Sequence, residues 1–294
     1  MLIARLIADG DARKTAELAE TLAGTGFAPD SLAPLADVPE VVELRFAAGD
    51  PAALLDALDA ALAPRAALVS TAEIGVPQVF VSDMDSTMIG QECIDELADY
   101  AGIKPQIAAI TERAMQGELD FEAALRERVA LLAGLEEGTI ATCLGERIRA
   151  TPGARTLVQT LAAQGARCVL VTGGLHHFAD PVAESLGFHR VVGNRLEVAG
   201  GQLTGGLIGA ITDAGVKAAV LREESAAAGE GALSLATGDG ANDIPMIAAA
   251  SYGFAYRAKP KARAAANGRV DGEDLTDVLL LLGIAREAWH EGVH

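Results

Sequence analysis

The chain has 294 residues, of which 50% are hydrophobic and only 4% aromatic, and its formal net charge is −18 at pH 7. This length permits one large or two modest domains. The acidic balance argues against nucleic acid or an anionic membrane as a partner.

The cysteines and the N-terminus point to a cytoplasmic location. Cys93, Cys143 and Cys168 lack the spacing of metal ligands or of a disulfide framework, which favours reduced thiols. No apolar run approaches the length of a membrane-spanning helix. The first residues, MLIAR, lack the basic and then apolar pattern of a secretion signal. We therefore expect a cytoplasmic protein without a membrane partner.

Residues 1–75 have the pattern of a small α+β domain. Apolar spacing predicts two strands and two helices there: strands over Leu2–Ala8 and Val41–Ala47, and helices over Asp11–Ala23 and Asp50–Ala63. The stretch 70–77 is the predicted linker. We therefore expect a domain boundary near residue 75, with a second domain over 76–294.

From residue 78 onward, strands alternate with helices, which is typical of a doubly wound parallel sheet. After the first strand, at 78–82, four helical segments lie between Gln91 and Arg149. We predict that this block, at about 90–150, forms a helical cap. The later predictions are helices at 153–164, 177–186 and 216–227, strands at 167–171 and 232–236, and a hairpin at 194–207.

Two acidic segments follow predicted strands: DMDST at 83–87 and GDGAND at 238–243. Because the carboxyl ends of parallel strands converge on one crevice, we expect Asp83, Asp85, Asp239 and Asp243 to meet there. Four carboxylates repel one another unless a cation lies among them. Ligands that are all oxygen favour a hard ion, and Mg²⁺ is the first choice.

The spacing of Asp83 and Asp85 suits phosphate chemistry. One carboxylate could attack phosphorus and form an aspartyl-phosphate, while the other protonates the leaving oxygen and later deprotonates water. The alternative is a solvated turn that caps the next helix. The preceding strand, the Ser-Thr that follows and the second acidic segment all favour the catalytic interpretation.

Two further positions could hold a phosphoryl group. Thr172-Gly173-Gly174 follows a predicted strand and could cradle phosphate oxygens, although a threonine cap in a tight turn explains it equally well. Lys217 is one of five lysines and the only one between Thr172 and Asp239. It could supply the cation that phosphoryl transfer needs, or it could be a solvated surface lysine.

The predicted cap carries a charged residue on an apolar helix face. At 100° per residue, Arg128 falls in the same stripe as Phe121, Leu125 and Leu132. Its side chain could extend to solvent or could point into the cleft and bind a substrate carboxylate. Glu92 lies on the polar side of its own helix, where a first-turn acid is the simplest interpretation.

The order of these motifs resembles the haloacid dehalogenase (HAD) superfamily of phosphatases and, more narrowly, the phosphoserine phosphatases. The resemblance covers about 78–290 and includes cap segments: QECIDE at 91–96, AMQG at 114–117 and LRERV at 125–129. It implies an α/β fold, a doubly wound parallel sheet of the HAD-like Rossmannoid type, with an inserted helical cap. Thr172 departs from the serine usual in the family but keeps the hydroxyl.

The resemblance also implies roles for individual residues. Asp83 would be the nucleophile and a Mg²⁺ ligand, and Asp85 the general acid and base, with its backbone carbonyl on the metal. Asp239 would complete the metal ligands, supported by Asp243. Substrate contacts would come from Thr172, Gly173 and Lys217 for the phosphoryl group, Glu92 for the ammonium, Arg128 for the carboxylate, Asn242, and Met115 and Phe121 in the cap pocket.

The implied activity is hydrolysis of O-phospho-L-serine to L-serine, the last step of serine biosynthesis. Two alternatives stay open: a phosphotransferase that passes the phosphoryl group to homoserine or another small alcohol, and a non-catalytic regulator that binds an amino acid. The N-terminal unit resembles regulatory ACT-like domains, through which two copies of the chain could form a homodimer. It lacks an obvious glycine-marked amino-acid site.

Overall fold

The computed structural model describes residues 1–7, 15–115 and 118–291. Within these ranges, residues 15–17, 114 and 115 are described by their backbone alone. Its strands are β1 (Leu2–Ile7), β2 (Ser31–Pro34), β3 (Val42–Phe46), β4 (Ala66–Ser70), β5 (Val79–Ser82), β6 (Arg167–Leu175), β7 (Arg190–Ala199), β8 (Gln202–Ile208), β9 (Ser234–Gly238), β10 (Tyr252–Tyr256) and β11 (Gly268–Val270). Its helices are α1 (Thr15–Ala23), α2 (Pro51–Leu62), α3 (Cys93–Tyr100), α4 (Lys104–Met115), α5 (Phe121–Ala130), α6 (Gly138–Arg147), α7 (Ala154–Ala163), α8 (His176–Leu186), α9 (Ala214–Ala228), α10 (Ile244–Ala249), α11 (Pro260–Ala265) and α12 (Asp277–Leu281). None of the described helices is both long and apolar enough to cross a bilayer.

The strands form one mixed sheet in the order β2-β3-β1-β4-β11-β10-β9-β5-β6-β7-β8. The six strands from β11 to β7 run parallel, and β8 is antiparallel to β7. Strand β5 is buried on both faces: Phe80 packs into one hydrophobic cluster, and Val79 and Val81 pack into another. The α/β fold with a largely parallel, doubly wound sheet is therefore confirmed.

The N-terminal strands continue this sheet. Strand β4 pairs antiparallel with β11, where Leu68 lies opposite Gly268, and β1, β3 and β2 follow antiparallel. The buried Arg269 of β11 forms ion pairs with Asp56 and Asp59 of α2. The sequence pattern did not predict β2 or β4, and Ser70 of β4 falls within the expected linker. The boundary near residue 75 and the ACT likeness stay predictions.

A helical cap is inserted between β5 and α7. The described residues between Gln91 and Arg149 contain the four predicted helices, α3 to α6. The two connections to the cap lie side by side: Gly90 N–H donates to the Arg149 carbonyl at 3.1 Å, and Thr151 N–H donates to the Met88 carbonyl at 3.0 Å. The cap is therefore joined to the sheet through two adjacent connections that are hydrogen-bonded to each other.

Several element bounds differ from the sequence prediction. Strand β6 continues through the Thr-Gly-Gly segment to Leu175, and β7 begins at Arg190, before the predicted hairpin. The described part of helix α1 is Thr15–Ala23, and residues 11–14 of its prediction lie outside the described residues. Beyond Asp243, the elements β10, α11, β11 and α12 have only three to six residues each. Segments this short carry too few periods for a pattern to be recognised.

Candidate active site

The first acidic loop begins where β5 ends. Asp83 is buried, its N–H donates to the Thr237 carbonyl of β9 at 3.0 Å, and its Oδ1 accepts the Met84 N–H at 2.7 Å. The chain then turns tightly, with Ser86 at a positive φ of 53°. This turn places Asp85 so that its Oδ1 accepts the Cys93 N–H at 3.0 Å, at the start of α3. The second aspartate therefore also caps the first helix of the cap.

The second acidic loop follows β9, the sheet neighbour of β5. Buried hydroxyls join the two strands, since Thr237 Oγ1 donates to Ser82 Oγ at 2.7 Å. Asp243 is buried, and its Oδ2 accepts the Gly240 N–H at 3.0 Å. A Cβ at position 238 would collide with Asp243, so this loop requires glycine there. The adjacency of β5 and β9 brings the two acidic loops together.

Lys217 of α9 lies between the two loops. Its side chain is 0% exposed, and its Nζ lies 2.7 Å from Asp83 Oδ1 and 2.8 Å from Asp243 Oδ1. Burial by itself lowers the pKa of this ammonium, but the two carboxylates outweigh burial and raise the pKa above its ordinary value. Lys217 is therefore a fixed cation, and the surface-lysine alternative is wrong.

Three carboxyl groups of the site, those of Asp83, Asp85 and Asp239, have raised pKa values. Burial, reinforced by the charge of Asp243, raises the pKa of Asp83 well above its ordinary value, against the opposing effect of Lys217. Burial and then the charge of Glu92 raise the pKa of Asp85 to about 6. For Asp239, burial and then the charge of Asp243 raise the pKa to about 6. These shifts reflect the burial of acidic groups that also repel one another.

Three of the four predicted acids could share a metal ion. One carboxylate oxygen from each of Asp83, Asp239 and Asp243 lies within 4.8 Å of the others. The side chain of Asp85 is outside this group. Asp83 and Asp243 share the ammonium of Lys217, and Asp239 has Lys259 Nζ only at 4.0 Å. A divalent cation would reduce the repulsion among the three carboxylates, and donors that are all oxygen suit a hard ion. These residues therefore fit a metal ion.

The Thr172-Gly173-Gly174 segment faces the acidic loops across the cleft. The buried Thr172 accepts the Gly174 N–H on its Oγ1 at 2.8 Å. A Cβ on Gly174 would lie 2.7 Å from Asp85 Oδ2, and one on Gly173 would lie 2.8 Å from Phe121 Cζ of the cap. The two glycines therefore allow a catalytic carboxylate and a cap side chain to approach the backbone closely.

A cleft of about 770 Å³ lies between the sheet and the cap. The predicted site residues that line it are Asp83, Asp85, Glu92, Phe121, Arg128, Thr172, Gly173, Asp239 and Asn242. Lys217 and Asp243 lie buried behind them. The side chain of Met115 is outside the described part of the structure.

The two charged cap candidates both reach this cleft. Among the described residues, the guanidinium of Arg128 hydrogen-bonds only to the Ala124 carbonyl of its own helix, at 3.4 Å, and forms an ion pair with no carboxylate. Glu92 is exposed and accepts a hydrogen bond from Ser86 Oγ at 2.8 Å. Of the two interpretations of Arg128, the structure favours the one directed into the cleft.

The sequence interpretation missed several residues of the site. Lys259 and Lys261 line the cleft, and Lys259 Nζ lies 4.0 Å from Asp239 Oδ2. They follow β10, the next parallel strand after β9, so the rule that located the acidic loops could have found them had β10 been recognised. Asn194, a buried residue of β7, supports the Thr-Gly-Gly segment and carries no motif.

Comparisons with known proteins agree with this geometry. The sequence model of the haloacid dehalogenase-like hydrolases matches residues 80–248. A phosphoserine phosphatase from Streptomyces coelicolor is 45% identical over 211 residues, which cover 71% of this chain and 51% of that protein. A phosphoserine phosphatase from Lactococcus lactis is 43% identical over 205 residues, which cover 68% of this chain and 93% of the relative.

A solved structure extends the match to the N-terminal strands. The unliganded probable phosphoserine phosphatase from Vibrio cholerae has a TM-score of 0.73 and 32% identity, over 98% of this chain and 87% of that one. The match to the Streptomyces protein, by contrast, spans about half of that relative's length. The chain belongs to the haloacid dehalogenase-like hydrolases and, within that family, groups with the phosphoserine phosphatases.

Proposed function

We propose that the chain hydrolyses O-phospho-L-serine to L-serine and phosphate, and so completes serine biosynthesis in the cytoplasm. One observation carries the proposal. The carboxylate of Asp83, held by Lys217 at 2.7 Å, lines a cleft whose cap wall presents Arg128 and Glu92. A phosphomonoester that carries both a carboxylate and an ammonium matches this set of charges. The names of the relatives support the same substrate.

Mg²⁺ is the proposed cofactor. The side chains of Asp83 and Asp239 would hold it together with the backbone carbonyl of Asp85, while Asp243 supports them. Both Asp243 oxygens already accept hydrogen bonds, from Lys217 and from Gly240, which suits a supporting role. When bound, Mg²⁺ neutralises charge on the phosphoryl oxygens.

The two aspartates divide the reaction between them. An oxygen of Asp83 forms a bond to phosphorus as the bond from phosphorus to the serine oxygen breaks, and Asp85 gives its proton to that oxygen. In the second step Asp85 takes a proton from water, which attacks phosphorus and releases Asp83 and phosphate. A pKa of about 6 allows Asp85 to serve as acid and then as base near neutral pH.

The remaining proposed substrate contacts lie on two sides of the cleft. On the sheet side, Thr172 and Gly173 would bind the phosphoryl oxygens, and Lys217 would orient Asp83 and offset the developing charge. On the cap side, Arg128 would bind the substrate carboxylate and Glu92 its ammonium, with Phe121 and Asn242 beside them. The role of Met115 in this pocket stays a prediction.

The test is phosphate release from O-phospho-L-serine by the full chain. We expect release with Mg²⁺ and none with EDTA. Product analysis with added homoserine separates hydrolysis from phosphotransfer, because a transferase would make phosphohomoserine at the expense of free phosphate. A regulator would bind an amino acid without releasing phosphate. A chain that turns over other small phosphomonoesters but not phosphoserine would contradict the proposed substrate.

Mg²⁺ affinity should fall as the pH falls through 6. Asp239 must lose its proton to bind metal, and its raised pKa of about 6 leaves it mostly protonated at pH 5. We expect Mg²⁺ to bind at least about tenfold more weakly at pH 5 than at pH 7.5. Titration calorimetry at both values measures this. Asp239→Asn should bind weakly at both, with a flatter dependence on pH, and a pH-independent affinity in the native chain would contradict the assignment.

Arg128→Ala should weaken the use of phosphoserine but spare substrates without a carboxylate. Loss of a charge-assisted, bidentate contact with the substrate carboxylate should lower kcat/KM for phosphoserine by about 100-fold. The kcat/KM for para-nitrophenyl phosphate should stay within about threefold of the native value. Arg126→Ala is the matched control, because Arg126 is two residues away on α5 and pairs with Glu122 at 2.9 Å on the surface. Equal losses on both substrates would refute the recognition role of Arg128.

A further inference from the structure

The ladder between β6 and β7 is interrupted at the proposed phosphoryl-binding segment. Backbone pairing stops after Val171 opposite Val192 and resumes with Leu175 opposite Asn194. The three residues Thr172–Gly174 therefore bulge out of the sheet opposite the single residue Gly193. A bulge of this size loses its regular ladder partners, so other groups must hold its backbone in place.

The side chain of Asn194 makes one hydrogen bond to the bulge and one to a second backbone segment. Its Nδ2 donates to the Gly173 carbonyl at 2.8 Å, and its Oδ1 accepts the Thr212 N–H at 2.9 Å. Asn194 is only 1% exposed, so its amide is shielded from competing water. One planar amide thus joins two backbone segments that lie far apart in the chain.

The first of these segments is fixed from both sides. The Gly173 carbonyl and the Gly174 N–H belong to the same peptide group. Asn194 holds the carbonyl, and Thr172 Oγ1 accepts the N–H at 2.8 Å. A peptide held at both polar ends cannot rotate without breaking two hydrogen bonds, one buried and one partly buried.

The second segment leads to the buried lysine. Thr212 precedes Asp213, whose Oδ1 accepts the Val216 N–H at 2.9 Å and caps α9. The Asp213 carbonyl accepts the Lys217 N–H at 3.1 Å. Asn194 therefore links the bulge to the segment that leads into the first turn of the helix that carries Lys217.

We propose that Asn194 is a positioning residue for phosphoryl transfer: its amide holds the Thr172–Gly174 bulge and the start of α9 as one phosphoryl-binding frame. The inference rests on the proposed function. Asn194 acts through Gly173 and Thr212 and does not touch the substrate. It should affect chemistry at phosphorus and not recognition of the amino-acid part of the substrate.

Asn194→Asp tests this role. The variant keeps an oxygen for the Thr212 N–H but places a carboxylate oxygen against the Gly173 carbonyl, so the donor is lost and the bulge is repelled. Misplacing a reacting group by about 1 Å costs on the order of 100-fold in rate, and we expect kcat to fall by about that factor, with KM within about threefold. Para-nitrophenyl phosphate should lose the same factor, and binding of orthovanadate, a phosphoryl mimic, should weaken.

Asn267→Asp is the matched control. Asn267 also bridges backbone segments: its Oδ1 accepts the Gly253 N–H at 2.7 Å, and its Nδ2 donates to the Val69 and Ser251 carbonyls at 3.1 and 3.0 Å. It lies outside the residues that line the cleft. We expect its variant to melt at a lower temperature while kcat per folded molecule stays within about twofold of the native chain.

Asn194→Ser removes the hydrogen bonds to Gly173 and Thr212 without burying a charge. If the aspartate variant fails to fold, kcat and orthovanadate affinity are measured on this variant instead. Folded Asn194 variants with native kcat and native orthovanadate affinity would overturn the positioning role and leave the proposed function intact. Failure of the native chain to release phosphate would instead refute the proposed function. Orthovanadate affinity of the Asn194 and Asn267 variants would then still decide the positioning role.

Discussion

Asp83→Asn is expected to abolish turnover and leave the fold intact. An amide oxygen cannot attack phosphorus, so kcat should fall by at least ~10⁴-fold. The asparagine keeps the size of the side chain and an oxygen that can accept the Met84 N–H, which donates to Asp83 Oδ1 at 2.7 Å in the native chain. Phosphate release measured with Mg²⁺ gives the activity, and thermal unfolding reports the fold.

Asp83→Asn should also leave the thermal stability of the chain unchanged or higher. Burial and the charge of Asp243 raise the pKa of Asp83. A raised pKa means that the folded state binds this proton more tightly than the unfolded state, so ionisation of Asp83 lowers stability as the pH rises. In EDTA at pH 7.5, Asp83→Asn should therefore melt at the same temperature as the native chain or higher.

Exposed Asp37→Asn is the control and should leave turnover and melting unchanged. Substantial turnover by Asp83→Asn would contradict the nucleophile assignment.

Lys217→Met should destabilise the chain and remove its activity. The substitution leaves the buried carboxylates of Asp83 and Asp243 without the ammonium that lies 2.7 and 2.8 Å from them. Removal of one partner from a buried ionic group costs about 3–5 kcal/mol. Chemical unfolding in EDTA at pH 7.5 measures the loss. Because Asp83 can relieve the penalty by taking up a proton, the difference from the native chain should shrink as the pH falls.

Two further variants isolate the electrostatic cause. Adding Asp243→Asn to Lys217→Met removes one of the two uncompensated charges and should recover part of the stability without recovering turnover. Lys104→Met is the control for loss of a lysine, since Lys104 is exposed and lies 4.0 Å from its nearest acid, Asp99. If Lys217→Met unfolded at the same denaturant concentration as the Lys104 variant, Lys217 would not be the counter-charge of the site.

The location of the acidic loops could be predicted from the sequence because the apolar pattern of a strand also shows where that strand ends. Asp83 and Asp239 each come at or directly after the end of an apolar strand, and neighbouring parallel strands end at the same edge of a sheet. Helical projection placed Arg128 on the cap face that also carries Phe121, but it could not distinguish a side chain that extends to solvent from one that enters the cleft. That distinction depends on what faces α5, which only the folded chain supplies.

Other features depend on contacts between distant parts of the chain. Strand β4 pairs with β11, a strand of only three residues about 200 positions later, and no local pattern encodes such a partner. Asn194 has its role because a bulge in β6 and the entry to α9 both lie beside it. The burial of Lys217 between two acids likewise became visible only in three dimensions.

The most direct test of the account is rapid acid quenching of the native chain during turnover of phosphoserine with Mg²⁺, followed by mass spectrometry of its peptides. The account predicts one acid-stable, base-labile phosphoryl group on the peptide that contains Asp83, absent from Asp83→Asn and from samples with EDTA. Phosphate release at full rate with no phosphorylated peptide at any quench time, or with the phosphoryl group on another residue, would contradict it.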